Sequence, residues 1–107
     1  MTITINNQIW TILNVRPTSS DLLRSDGTIT LGVCDDTVKT IFIANNLSRE
    51  MYDKVLCHEL THAFAFEYDY YMPIDTEEIV ADFMSLYGRE IINIADEIMN
   101  LLTRRVA

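Results

Sequence analysis

Histidine is nearly missing from this chain of 107 residues, and so are cysteine, proline and glycine. Basic residues are scarce as well: 8 Lys and Arg stand against 16 Asp and Glu, a formal net charge of −8. That balance excludes a nucleic-acid binder, which must neutralise phosphates, and disfavours docking on an anionic membrane. Basic peptides would be attracted, although a solvated acidic surface is the ordinary reading of such a charge. Two cysteines, Cys34 and Cys57, are too few for a secreted disulfide scaffold, and we read both as reduced thiols in a cytoplasmic protein. Met1-Thr2-Ile3-Thr4-Ile5 shows neither the basic nor the apolar region of a signal peptide. No apolar run approaches the 18 or so residues that a membrane span needs. Three glycines and two prolines argue against a long disordered tract, and 49% hydrophobic residues suit a compact core. The length predicts one domain, residues 1–107.

The first half reads as strands. Ile3 and Ile5 alternate with threonines, Asn6-Asn7 signals a turn, and Gln8–Val15 resumes the apolar pattern, which predicts a β-hairpin. Pro17 ends it. The polar stretch Thr18–Asp26 holds at most one helical turn around Leu22 and Leu23, and Asp26-Gly27 turns the chain. Thr28–Cys34 and Thr40–Ala44 flank Asp35–Lys39 as a second hairpin, so a small antiparallel sheet of two hairpins is expected. The second half reads as helices. Ser48 is a plausible N-cap with Glu50 in the first turn, and Met51, Tyr52, Val55, Leu56, Leu60, Ala63 and Phe64 recur at helical spacing to about Glu67. A tyrosine-rich loop with Pro73 follows. A second helix is expected from Asp75 or Thr76 to about Arg104, with Gly88 as a bend or a close-packing point. The fold class is α+β.

Both histidines fall in one pentad, His58-Glu59-Leu60-Thr61-His62. Four residues on a helix bring side chains to within about 40° around the axis and roughly 6 Å along it, so two imidazoles can grip one metal ion. Glu59, about 100° from His58, can take a proton from water without being a ligand. Nitrogen ligands, an open coordination position and a free carboxylate are what a zinc hydrolase requires. The alternative is an exposed His, Glu, His set on an ordinary amphipathic helix. Cys57 adjoins His58 but points about 100° away, so it reads as a packed thiol. If the two helices run antiparallel, His62 and the start of the second helix, near Glu78, meet at one level.

These residues resemble the zincin metallopeptidases, and more narrowly the gluzincins, whose third ligand is a Glu followed four residues later by an Asp. Glu78-Ile79-Val80-Ala81-Asp82 matches that arrangement. The run His58–Phe64, with Ile41–Ser48 before it and Glu77–Phe83 after it, is similar to the small ImmA/IrrE-type proteins of phage and bacterial genomes, over about residues 29–90. The resemblance implies a minimal zincin-like fold and one zinc ion per chain, held by His58, His62 and Glu78. It also implies Glu59 as general base and Asp82 as a hydrogen-bond partner of a ligand histidine. Among the other acids, Glu67 is turned some 140° from His62 and Asp75 is suited to a helix start. Glu77 lies one turn from Ala81 and is expected to face elsewhere. The alternative for Glu78 is a charge favoured by the helix dipole. Gluzincins often add a His or Tyr that stabilises the oxyanion; no third histidine exists here, and Tyr68, Tyr70 and Tyr71 are the loop candidates.

The expected function is a zinc-dependent peptidase acting on a peptide or protein, by analogy a repressor-like regulator. The competing reading is a zinc-binding regulatory module of the same fold that does not cleave its partner.

Overall fold

A computed structural model describes residues 1–106. Strands β1 (Thr2–Ile5) and β2 (Gln8–Val15) form the expected hairpin, with Ile5 opposite Gln8. Asn6 and Asn7 carry the turn at φ 48° and 64°, the left-handed values that a two-residue hairpin demands and that asparagine tolerates. Strands β3 (Gly32–Asp35) and β4 (Thr40–Ala44) form the second hairpin.

The sheet that joins them is mixed, not antiparallel. Its order is β1-β2-β4-β3, and β4 runs parallel to β2, from Thr11 opposite Thr40 to Val15 opposite Ala44. Local alternation of apolar residues predicts strands but not their direction. Here the connection after Pro17, through a 3₁₀ turn at Ser20–Leu22, returns the chain so that β4, not β3, pairs with β2. The strand expected at Thr28–Cys34 is shorter than its β-branched run. Thr28–Leu31 is held by a bridge between Leu23 and Ile29, by the Thr30 amide donating to the carbonyl of the fully buried Leu22, and by the Ala44 amide donating to the Leu31 carbonyl.

Helix α1 (Arg49–Glu67) starts where the capping signal predicts: the Ser48 hydroxyl accepts from the Met51 amide at 3.2 Å. It lies on the sheet, and Tyr52, Val55, Leu56, Leu60 and Ala63 meet Ile5, Trp10, Ile12, Ile41 and Ile43 to form the core. Glu67 faces the sheet, accepting from the Trp10 indole at 3.1 Å and pairing with Lys39. The C-terminal end of α1 is thereby fixed over β2.

The second predicted helix is three pieces. Helix α2 (Ile74–Phe83) begins after Pro73, so Asp75 lies in its first turn and does not cap it. A π-helical turn, Met84–Gly88, then precedes α3 (Arg89–Val106). Gly88 is buried against Met84, whose Cε would stand 2.7 Å from any Cβ there. Arg89 pairs bidentately with Asp53 at 2.6 and 2.9 Å, tying the start of α3 to α1.

Candidate metal centre

The crossing of α1 and α2 brings the acidic residues of α2 to the two histidines. His58 and His62 turn their Nε2 atoms toward each other, 3.2 Å apart. The Glu78 carboxylate reaches both, at 2.7 Å from His62 Nε2 and 3.5 Å from His58 Nε2. Asp82, one turn further along α2, stands 3.0 Å from His58 Nδ1. Four of the residues expected at the site are thus together, and Glu59 lies on the same turn of α1, buried against β3.

Glu77 departs from expectation. Its Oε2 is 2.6 Å from His62 Nδ1, so it flanks the histidine pair on one side as Asp82 does on the other. Adjacent helix positions point about 100° apart, and the two glutamates straddle His62 instead of choosing between facing and not facing α1. The chain pattern carried a sign of this, since Glu77 is the only acid adjacent to Glu78, but the angle at which α2 crosses α1 decides it.

The protonation pattern follows from the partners. A carboxylate only accepts, so the Nδ1 of His62 carries its proton toward Glu77, and Asp82 draws the same tautomer in His58. In that tautomer both imidazoles turn an Nε2 lone pair toward Glu78. Two lone pairs and the Glu78 carboxylate converge with no donor among them. The three ligand atoms lie within 4.8 Å of one another. At zinc–nitrogen distances near 2.0–2.1 Å, tetrahedral ligands stand about 3.3 Å apart. The separations of 2.7, 3.2 and 3.5 Å bracket that spacing. The residues therefore fit a small divalent cation.

Burial pushes the Glu59 carboxyl above the usual carboxylate range; His58, His62 and Arg24 oppose the rise, and Glu78 adds to it. Cys34, on β3, is driven further from its thiolate by burial and by Asp36 and Glu59. Cys57 donates to the Met84 carbonyl at 3.5 Å, on the side facing the π-helical turn, and behaves as a packed thiol.

A cavity of about 580 Å³ opens on one side of the centre, between β3, α1 and the Asp69–Ile74 segment. A second, of about 320 Å³, opens on the other side next to His58 and Asp82. Gly32, Glu59, Glu78 and Arg24 border both. β3 is an edge strand, paired only with β4. Tyr70 and Tyr71 line the larger cavity and Tyr68 does not; Tyr68 stacks on Phe64 at the end of α1. Sequence reading missed Arg24 and Gly32. A loop arginine has no periodic signal, and a strand glycine shows its purpose only when the neighbouring backbone is known.

A model of the peptidase family described as the IrrE N-terminal-like domain matches residues 13–99. The chain belongs to this family. No curated protein and no solved structure matches it significantly. Membership agrees with the α+β arrangement of a minimal zincin-like fold, in which a sheet precedes the histidine helix. It also makes this a metallopeptidase-like domain, and His58, His62 and Glu78 form a group that could hold a metal ion. No helix among the described residues is long and apolar enough to cross a membrane.

Proposed function

We propose that this IrrE-like domain is a zinc-dependent peptidase. One observation carries the reading: two imidazole lone pairs and a carboxylate converge, with Glu59 beside them free of any role in holding the ion. A site that only stabilises a fold has no use for that fourth group. His58, His62 and Glu78 would hold the ion, and two nitrogens with one carboxylate are a donor set of catalytic zinc sites. When bound, zinc supplies a Lewis acid that polarises the scissile carbonyl and makes water a nucleophile near neutral pH.

The chain's own residues divide the remaining work. Glu59 accepts a proton from the attacking water and returns it to the leaving amine. Its burial against Gly32 of β3 keeps the carboxylate basic enough for that exchange, although His58 and His62 oppose the rise. Asp82 and Glu77 hold the imidazoles in the tautomer that presents Nε2. An extended peptide adds a strand to the free edge of β3, its backbone lying along a cleft that passes Glu59 on both sides. Arg24, which borders both cavities, would meet the negative charge that develops on the carbonyl oxygen. The substrate would be a cytoplasmic peptide or protein, by family analogy a repressor-like regulator.

A regulatory module that binds zinc without cleaving its partner is the second reading. It draws on the histidine count: with both imidazoles holding the ion, none would be left for the oxyanion. Glu59→Gln separates the two. The amide keeps the shape and the metal but cannot take a proton, so peptide cleavage should nearly vanish at unchanged zinc content. Equal cleavage by the Gln variant contradicts the mechanism, and absence of cleavage by both proteins across a peptide library favours the module.

A further inference from the structure

Helix α3 leaves the body of the protein. The radius of gyration is 16.2 Å and the longest extent 56 Å, against about 13 Å for a compact chain of this size. Apart from the Arg89–Asp53 pair, its extensive packing among the described residues is with the π-helical turn from which it grows. Yet α3 is not a polar helix. Ile91, Ile94, Ile98 and Leu101 repeat at intervals of three, four and three, the spacing of a coiled-coil seam. These side chains are exposed by between 48% and 56%, so nothing in the described chain covers the stripe. Ile92, Met99 and Leu102 widen it to an arc of roughly 180°.

The charges beside this stripe indicate its occupant. Glu90, Glu97 and Arg104 are spaced by sevens and therefore lie along one flank, acidic toward the start of α3 and basic toward its end. Two copies of α3 laid side by side in parallel would leave these charges without opposite partners. Laid antiparallel with the stripes in full overlap, the flanks face each other, Arg104 of each copy meets Glu90 of the other, and the two Glu97 side chains approach at the two-fold axis. A membrane surface is a poor fit, because interfacial helices carry an excess of Lys and Arg on the polar face, whereas here Arg89 and Arg104 share that face with Glu90, Asp96 and Glu97.

We propose that α3 is a self-association element, pairing antiparallel with α3 of a second copy of this chain. The pairing buries the isoleucine stripe along a helix about 27 Å long. It leaves the cleft beside β3 free, since α3 and the cleft residues share no lining. The inference does not depend on any reading of the metal centre.

Sedimentation equilibrium of the whole chain over a concentration series tests it, together with the double variant Ile94→Asp, Ile98→Asp. The expected result is twice the mass of one chain for the parent and a single-chain mass for the variant, with metal content unchanged. Arg104→Glu should weaken association several-fold, and mixing it with a Glu90→Lys, Glu97→Lys chain should restore it. Orientation is read by oxidising a mixture of Glu90→Cys and Arg104→Cys chains, where the mixed disulfide is expected. A single-chain mass at every concentration overturns the proposal and assigns the stripe to a different partner. Dimers that survive the aspartates, or disulfides only between like variants, overturn it as well.

Discussion

The 2.6 Å contact between Glu77 Oε2 and His62 Nδ1 gives the second histidine its own carboxylate, matching the one that Asp82 gives the first. Each imidazole is held from behind, and each presents the nitrogen that faces Glu78.

The first prediction follows from that symmetry. Glu77→Ala frees the His62 ring to rotate and to exchange tautomers, so zinc affinity should fall by about 10–100-fold. Asp82→Ala should fall in the same range, and Glu78→Ala further, because it removes a ligand. Competition against a chromophoric chelator measures all three. Glu77→Gln should recover part of the loss, since its carbonyl oxygen still accepts from Nδ1. Parent-like affinity in Glu77→Ala would show that the contact does not orient the ring.

Gly32 sets the distance between the edge strand and the histidine helix. A Cβ there would stand 2.5 Å from Val55 Cγ1 and 3.1 Å from Glu59 Cγ. Gly32→Ala should therefore destabilise the protein by about 1–3 kcal/mol, the usual effect of overpacking. Denaturant unfolding measures it, and Val55→Ala in the same chain should restore part of the loss by removing the clashing methyl. A neutral Gly32→Ala would mean that β3 is free to move away from α1.

Arg24 borders the cleft on both sides of Glu59 and touches neither histidine in the contacts observed. Once a cleaved peptide is in hand, Arg24→Ala should lower kcat by about 10²–10³-fold if it is the oxyanion donor. Zinc content should stay the same. A change in KM alone would make Arg24 a substrate contact, with Tyr70 or Tyr71 left to stabilise the oxyanion.

Much of this centre was legible before any fold was known. The pentad places two imidazoles on one face by helix geometry alone, and Ser48 marks where that helix starts. Glu78 and Asp82 share a face of α2 for the same reason, whatever the crossing angle. The features that escaped are the ones set by tertiary packing. The parallel pairing of β2 with β4 depends on where the Arg16–Leu31 connection delivers the chain, which local alternation does not encode. Glu77 was discounted because of the alanine one turn away, although its long side chain needs only the crossing of two helices to reach His62. The break at Met84–Gly88 was visible only as a glycine in an otherwise continuous apolar pattern.

The central claim is that His58, His62 and Glu78 converge to hold one metal ion. Native mass spectrometry of protein purified without added metal tests it most directly. We predict one zinc per chain in the parent, none or nearly none in Glu78→Ala, and one again in Glu59→Gln. A parent that carries no metal and gains no thermal stability when zinc is supplied, or a Glu78→Ala variant as loaded as the parent, would contradict the account.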